Sequence, residues 1–477
     1  MTQTPMNGQD ARMEKFDPRM GAFDAVMWDV EDDPMLRSVI VLVVTLDDEP
    51  DPEILTERIN RMTLDTPKMR QIPIGNPLSL APPRWHTDPD FDLDYHLRWQ
   101  RLPRDGGGLA NVLALAEQIA EQDFDQSRPL WEATVVTGLA DDKSAVIVKL
   151  HHAITDGVGG MAMLAVMFDL DPDNPTQFPP LATAPETRPV TALDRVRDAA
   201  KYEYESLADR LGSAARAGAS YLRRAATDPM ATAVSTGEWA QSAARMLAPA
   251  SGPMSDVMTG RSLLVAFSVA EVELDDLKAA AHSVKGTIND AFMSAVTGGL
   301  RRYHERHGSH VDALRVNMPI NVRSDGNADG NHWVPARFPI PVNVSDAGAR
   351  MKQLHPILIQ ARNEPALGLS DVVYRLLSTM PRPLTTVVAA KLMKCTDVAA
   401  TNVPGPPMPL FIAGARVLGM IPFAPKGGAA VNIGLLSYAG TAFIGINCDR
   451  AAIEDPDDFT DCFISALNDV VALGSRS

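Results

Sequence analysis

His151-His152-Ala153-Ile154-Thr155-Asp156-Gly157 is the stretch on which the reading of this chain turns. Ahead of it runs Ser144-Ala-Val-Ile-Val-Lys-Leu150, apolar and rich in β-branched residues, which reads as a buried strand. Behind it, residues 158–168 are apolar over a length that suits about three helical turns. The two histidines therefore sit at a strand end, in the turn that feeds a helix. In mixed α/β folds such ends are where side chains reach a cleft. Neighbouring strand residues face opposite ways, so His152 shares a face with Val146, Val148 and Leu150 while His151 faces the other. One chemical histidine and one structural histidine are expected.

An imidazole titrating near neutrality, at a strand end in a cleft, suits general-base work on a hydroxyl. Asp156 either pairs with an arginine to orient the turn or caps the following helix, a common use of Asp at that position. Gly157-Val-Gly-Gly-Met-Ala162 also fits the G-x-G-x-x-A dinucleotide fingerprint. That fingerprint needs a second strand soon after the helix, and here Asp171-Pro-Asp-Asn-Pro175 follows instead, so it is rejected. A metal held by His151, His152 and Asp156 is also rejected, because adjacent strand residues diverge and no H-E-x-x-H or paired-cysteine spacing occurs. No G-x-S-x-G is present to carry a serine nucleophile.

At 477 residues the chain has room for two or three domains. Its 45% hydrophobic and 22% charged content is that of a globular protein with substantial cores, and a net charge of −16 argues against nucleic acid as a partner. Three cysteines (Cys395, Cys448, Cys462) point to a reducing compartment without a disulfide framework. With a polar start and no long charge-free apolar run, a cytoplasmic protein is expected, one that can still lie on a membrane surface.

Along the chain, residues 34–46 read as a central strand, 51–62 and 109–122 as helices, and 128–136 as a strand beside the histidine strand. The stretch between residues 62 and 109 reads as mostly loop. Residues 191–247 change to alanine, arginine and scattered acids, with Leu193, Ala200, Leu207, Ala214 and Tyr221 recurring every seven residues. That stripe covers a neighbour or, as a second reading, meets lipid. The second half repeats the grammar: a strand at 262–269, helices at 274–283 and 291–307, strands at 314–323, 430–436 and 441–447, and a last helix at 457–473. Thr287-Ile-Asn-Asp290 has the T-x-x-D form of a helix start. Two related α/β (α+β) domains are expected, at 1–182 and 259–477, joined by a helical connector at 183–258.

With these motifs the chain resembles the bacterial wax ester synthase/acyl-CoA:diacylglycerol acyltransferase family, within the chloramphenicol-acetyltransferase-like and condensation-like folds. Besides H-H-x-x-x-D-G, the resemblance is carried by Pro129-Leu-Trp131, Asn289-Asp290, Met318-Pro-Ile-Asn-Val-Arg323, Gly330-Asn331 and Asn402-Val-Pro-Gly-Pro406. Leu435-Leu-Ser-Tyr-Ala-Gly440 and Asp449 also fit, and the elements run in family order from about residue 24 to 473. The resemblance implies two acetyltransferase-like domains with the active site in a channel between them. His152 would be the general base, with His151, Asp156 and Asn289 in the catalytic group. Arg323 would pair with Asp156 across the interface. Gly157, Asp290, Asn402, Pro404 and Gly405 would shape the channel, with 402–406 as a rigid loop, and Pro129 and Trp131 would buttress the first domain.

The implied reaction moves a fatty acyl chain from acyl-CoA, as co-substrate and with no further cofactor, to diacylglycerol, giving triacylglycerol. Wax ester synthesis on a long-chain alcohol is the runner-up. An inactive lipid-binding relative, and acyl transfer from a carrier protein in natural-product assembly, are the readings from other classes. Peripheral contact with the inner membrane face or lipid inclusions is part of the same expectation. Pro34-Met-Leu-Arg37, Thr401 before Asn402 and the proline-rich 332–341 depart from the family pattern, which puts the choice of acceptor in doubt rather than the chemistry.

Overall fold

The computed structural model describes residues 19–75, 81–103, 107–172, 176, 178–181, 190–227, 252–321, 333–363, 373–374, 377–378 and 380–475. In chain order the elements are α1 (Ala22–Asp29), β1 (Val39–Leu46), α2 (Pro52–Asp65), β2 (Gln71–Ile74), β3 (Arg84–Thr87), α3 (Leu93–His96), β4 (Leu97–Arg101), α4 (Leu109–Glu121), β5 (Trp131–Thr137), β6 (Ser144–His151), α5 (Gly157–Leu164) and α6 (Ala192–Thr227). After the connector come β7 (Val265–Glu273), α7 (Leu274–Ser283), α8 (Ile288–Arg306), β8 (Ala313–Asn321), β9 (Trp333–Pro341), α9 (Ala347–Arg362), α10 (Arg382–Met393), β10 (Val398–Pro404), β11 (Phe411–Ile412), β12 (Ala415–Phe423), β13 (Val431–Tyr438), β14 (Thr441–Asp449) and α11 (Pro456–Gly474).

Two six-stranded sheets organise these elements, in the orders β11-β12-β1-β6-β5-β4 and β7-β14-β13-β10-β8-β9, with β2 and β3 forming a separate hairpin. Every residue of β6 is buried, as its apolar run requires, and it pairs antiparallel with both β1 and β5. In the second sheet β8, β10 and β13 run parallel, so their carboxyl ends lie on one side. Val398, Val431, Ile433 and Ile446 face a core shared with Phe292 of α8 and Phe463 of α11. The opposite face of this sheet contributes Val265, Phe267, Leu436 and Phe443 to the core of the first unit.

The expected division at residue 259 needs correction in one respect. Residues 411–423 return to the first sheet, where β12 pairs with β1. Their crossing demands a close approach, since a Cβ added at Gly445 would lie 1.9 Å from the Pro422 carbonyl oxygen. Phe423 then stacks on Phe267 at 4.0 Å between ring centroids. The edge strand β7 is covered as well. Glu121 Oε1 accepts from the Val265 N–H at 2.9 Å and Glu117 Oε1 from that of Phe267 at 2.7 Å.

Other boundaries differ from expectation for local reasons. Pro34–Leu36 forms a 3₁₀ turn capped by Asp33, so β1 starts at Val39. The supposed loop before residue 109 holds β2, β3, α3 and β4. Residues 402–404 are strand rather than loop, because β10 pairs with β13 along its whole length. The proline-rich 333–341 is an edge strand, where missing N–H groups are tolerated. In the connector, α6 is docked through Asp198, which pairs with Arg19 and Arg84.

Candidate active site

The histidine turn is built by β6 and closed by α5. Strand pairing continues one residue past β6, with the His152 N–H donating to the Ser38 carbonyl at 2.8 Å. Ile154 N–H then bonds back to the His151 carbonyl at 3.0 Å, which turns the chain. Asp156 is the N-cap of α5 and its carboxylate accepts from the Gly159 N–H at 2.7 Å. It is buried at 7% exposure. Arg323, its expected partner, lies outside the described residues, as do Gly330 and Asn331.

His151 is 1% exposed and both ring nitrogens are engaged. Nδ1 accepts from the Ala153 N–H at 3.0 Å, so the proton sits on Nε2, which donates to Glu31 Oε1 at 3.0 Å. Trp28 and Phe124 meet the ring edge-on. Burial would raise the Glu31 carboxyl, but the His151 hydrogen bond, the Ser38 N–H and the Arg37 charge outweigh it and hold it below the usual range. Both ring nitrogens of His151 are thus occupied by hydrogen bonds inside the fold.

His152 differs in every respect. It is partly exposed, and alternation along β6 turns it to the opposite face. Burial of the imidazole pushes its pKa below the ordinary value, against the pull of its own backbone and of the Asp156 and Asp24 charges. A neutral imidazole at pH 7 is a competent base. Its turn is held from outside by Lys68, whose ammonium donates to the Ala153 carbonyl at 3.1 Å and to Asp24 Oδ2 at 3.3 Å.

The other motifs surround this turn. Trp131 is 1% exposed, its indole N–H donates to the Met69 carbonyl at 2.7 Å, and its ring stacks on His96 at 4.6 Å. Pro129 is buried beside it, and the next residue, Leu130, accepts the His151 N–H. Thr287 and Asp290 form a complete capping box at the head of α8, and Asp290 Oδ2 also accepts from His355 Nδ1 at 2.8 Å. Asn289, one residue earlier, points its amide at the Met318 sulfur of β8, 3.8 Å away. On β10, Val403 presses on the turn, since a Cβ at Gly157 would lie 2.9 Å from Val403 Cγ2. Pro404 and Asn402 are exposed, and the Gly405 N–H donates to Ser437 Oγ at 3.2 Å. The histidine turn thus meets the carboxyl ends of the parallel strands of the second sheet, the usual place for a ligand in open α/β sheets.

Sequence reasoning missed Glu31, Ser38, Asp24 and Lys68. Glu31 lies in an acidic run that reads as solvated, and nothing local marks it as the partner of a histidine 120 residues away. A cavity between the units, touched by Val39, Val41, Phe267, Phe423 and Asn447, lies on the β1 face that carries His151 rather than His152. Among the described residues no cluster of His, Cys, Asp or Glu is arranged to hold a metal.

Two sheets sharing a core, with a histidine turn against the ends of parallel strands, make up a fold that this chain shares with solved condensation domains. The chain belongs to the wax ester synthase/diacylglycerol acyltransferase family: residues 20–292 match its catalytic domain and 329–470 its C-terminal domain. It is 33% identical over 455 residues to a putative diacylglycerol O-acyltransferase of Mycobacterium tuberculosis, covering 95% of this chain and 92% of that one. A probable diacylglycerol O-acyltransferase of the same organism is 29% identical, covering 84% of each chain. Among solved structures, the wax ester synthase/diacylglycerol acyltransferase of Marinobacter aquaeolei VT8 matches with a TM-score of 0.63 at 20% identity, over 96% of this chain and 100% of that one. The first condensation domain of the calcium-dependent antibiotic synthetase matches with a TM-score of 0.60 at 14% identity, over 96% and 97%.

Proposed function

We propose that this chain transfers a fatty acyl group from acyl-CoA to the hydroxyl of diacylglycerol, with His152 as the general base. The observation that carries the assignment is the contrast between the two histidines. His151 is locked by Ala153 and Glu31, whereas His152 is partly exposed and held neutral at a strand end. His152 takes the hydroxyl proton as the oxygen attacks the thioester carbonyl. The tetrahedral oxyanion collapses, the C–S bond breaks, and the imidazolium returns its proton to the departing CoA thiolate. Asn289, at the head of α8 and held there by the Thr287–Asp290 box, is the candidate side chain for the developing oxyanion.

The relatives named as diacylglycerol O-acyltransferases favour diacylglycerol as the acceptor, and a long-chain alcohol is the alternative. No helix among the described residues is long and apolar enough to cross a membrane, so the lipid acceptor would be met at a surface. Purified protein given palmitoyl-CoA and dioleoylglycerol should release CoA and form triacylglycerol. His152→Ala should lower turnover about a hundredfold or more. Release of no CoA with either acceptor would refute the reading.

A further inference from the structure

A small third core ties α10 to the first unit. Val26, Met27, Val30 and Leu36 pack there with Leu377 and with Ala389 of α10. Its rim is polar, and one side chain dominates it. Arg382, the first residue of α10, pairs with Asp32 at 2.8 Å and donates to the Trp28 carbonyl at 3.5 Å. Its guanidinium also lies 4.0 Å from Asp29 and over the Trp28 ring, 5.4 Å from the centroid. One turn further along α10, the Thr386 hydroxyl donates to the Asp29 carbonyl at 2.8 Å. Burial pushes the Asp29 carboxyl up to about 6, and the Arg382 charge works against that shift.

The segment held in this way carries Glu31. That residue lies in the 3₁₀ turn Val30–Asp32, between the two acids that Arg382 reaches. Glu31 Oε1 receives the His151 ring N–H and also the Ser38 N–H, the latter at 2.6 Å. The Ser38 carbonyl in turn accepts the His152 N–H. A short chain of contacts therefore leads from α10, through the turn, Glu31 and Ser38, to the backbone of His152.

We propose that Arg382 is a positioning residue for the general base, fixing the turn from which Glu31 and Ser38 hold the His152 backbone in place. This rests on the reading of His152 given above. An arginine suits the task because its planar fork stays charged and offers several donors in fixed geometry. Without it, the Asp29 and Asp32 charges would repel one another on either side of Glu31, and the turn between them would shift. A base is sensitive to such a shift, since a misplacement of about 1 Å can lower a rate up to a hundredfold.

Arg382→Ala should lower kcat on palmitoyl-CoA and dioleoylglycerol about tenfold and leave both KM values within about twofold. Arg382→Lys keeps a cation beside Asp32 and should recover most of the loss. Arg382→Gln serves if the alanine variant does not fold. In a Glu31→Ala background, Arg382→Ala should lower kcat by less than about twofold, because the link is already cut. Losses that multiply in the double variant would overturn the proposal. So would an equal fall in kcat with Lys394→Ala, which breaks the 2.5 Å pair with Asp33 in the same segment and spares Trp28, Asp29 and Asp32. Hydrogen exchange read by mass spectrometry separates this proposal from the functional one. The Ser38 and His152 N–H groups should exchange about tenfold faster in Arg382→Ala than in the wild type or Lys394→Ala. That result supports the link even if the wild type shows no turnover, and unchanged exchange at both amides overturns it.

Discussion

Gly157 and Val403 meet across the two units, so closely that a single methyl on Gly157 would stand 2.9 Å from Val403 Cγ2. The first residue of α5 and a residue near the end of β10 therefore set each other's position. This contact couples the histidine turn to the second sheet. Each motif alone is a local feature, and the contact makes them one site.

Gly157→Ala should overpack that contact. A cost of about 1–3 kcal/mol is typical where a methyl is forced into a packed interface. The expected outcome is a Tm lower by a few degrees and kcat/KM down at least tenfold, because the displaced element carries His152. Val403→Ala makes room for the methyl, so the double variant should regain most of both losses in a double-mutant cycle.

Glu31→Ala leaves the buried His151 Nε2–H without an acceptor, which should cost about 1–3 kcal/mol of stability by urea unfolding. Glu31→Gln keeps an accepting oxygen and should cost less. The pH dependence follows from the lowered carboxyl. Its stabilisation is complete above the unfolded value of 4.5 and is lost as pH falls below that toward the folded one. The wild type should lose stability over this window and Glu31→Gln should lose less.

The acid limb of kcat/KM should fall below pH 6.5, because burial depresses the His152 pKa and the base works only when unprotonated. Asp24→Asn removes a charge that favours the protonated ring, and leaves the Lys68 cation without its carboxylate partner. Both effects act in the same direction, so the limb should move to still lower pH. A pH–rate profile on palmitoyl-CoA decides it, and an upward shift would contradict the assigned base.

Trp131→Phe keeps a ring to stack on His96 but leaves the buried Met69 carbonyl without its indole N–H. A loss of about 1–3 kcal/mol is expected, read as a Tm several degrees lower. KM for both substrates should stay within about twofold, as befits a residue that supports β5 and not the chemistry.

Elements whose signal lies in their own residues are legible in the chain's pattern. The buried strand β6, the capping box of α8 and the periodic α11 fall close to where periodicity and capping residues put them. The short strands β2, β3 and β4 do not announce themselves in this way. Four or five residues with prolines or charges become strand only because a partner pairs with them. The return of β12 to the first sheet is equally hidden, because it depends on the Gly445 gap and on pairing with β1, more than 370 residues earlier. Of the site, the motif residues are visible, while Glu31, Asp24 and Lys68 are not, since they act through contacts distant in sequence.

By itself the sequence determined the two-part α/β plan, the histidine turn at a strand end and the family to which it belongs, all of which rest on periodicity, caps and short motifs. Only the tertiary structure decided which groups immobilise His151, what holds the His152 turn, and that the two sheets interlock through residues 411–423. The reason is physical. Local patterns record how a residue is buried along its own element, whereas hydrogen-bond partners and close approaches are set by the few ångströms between elements that fold together from distant parts of the chain.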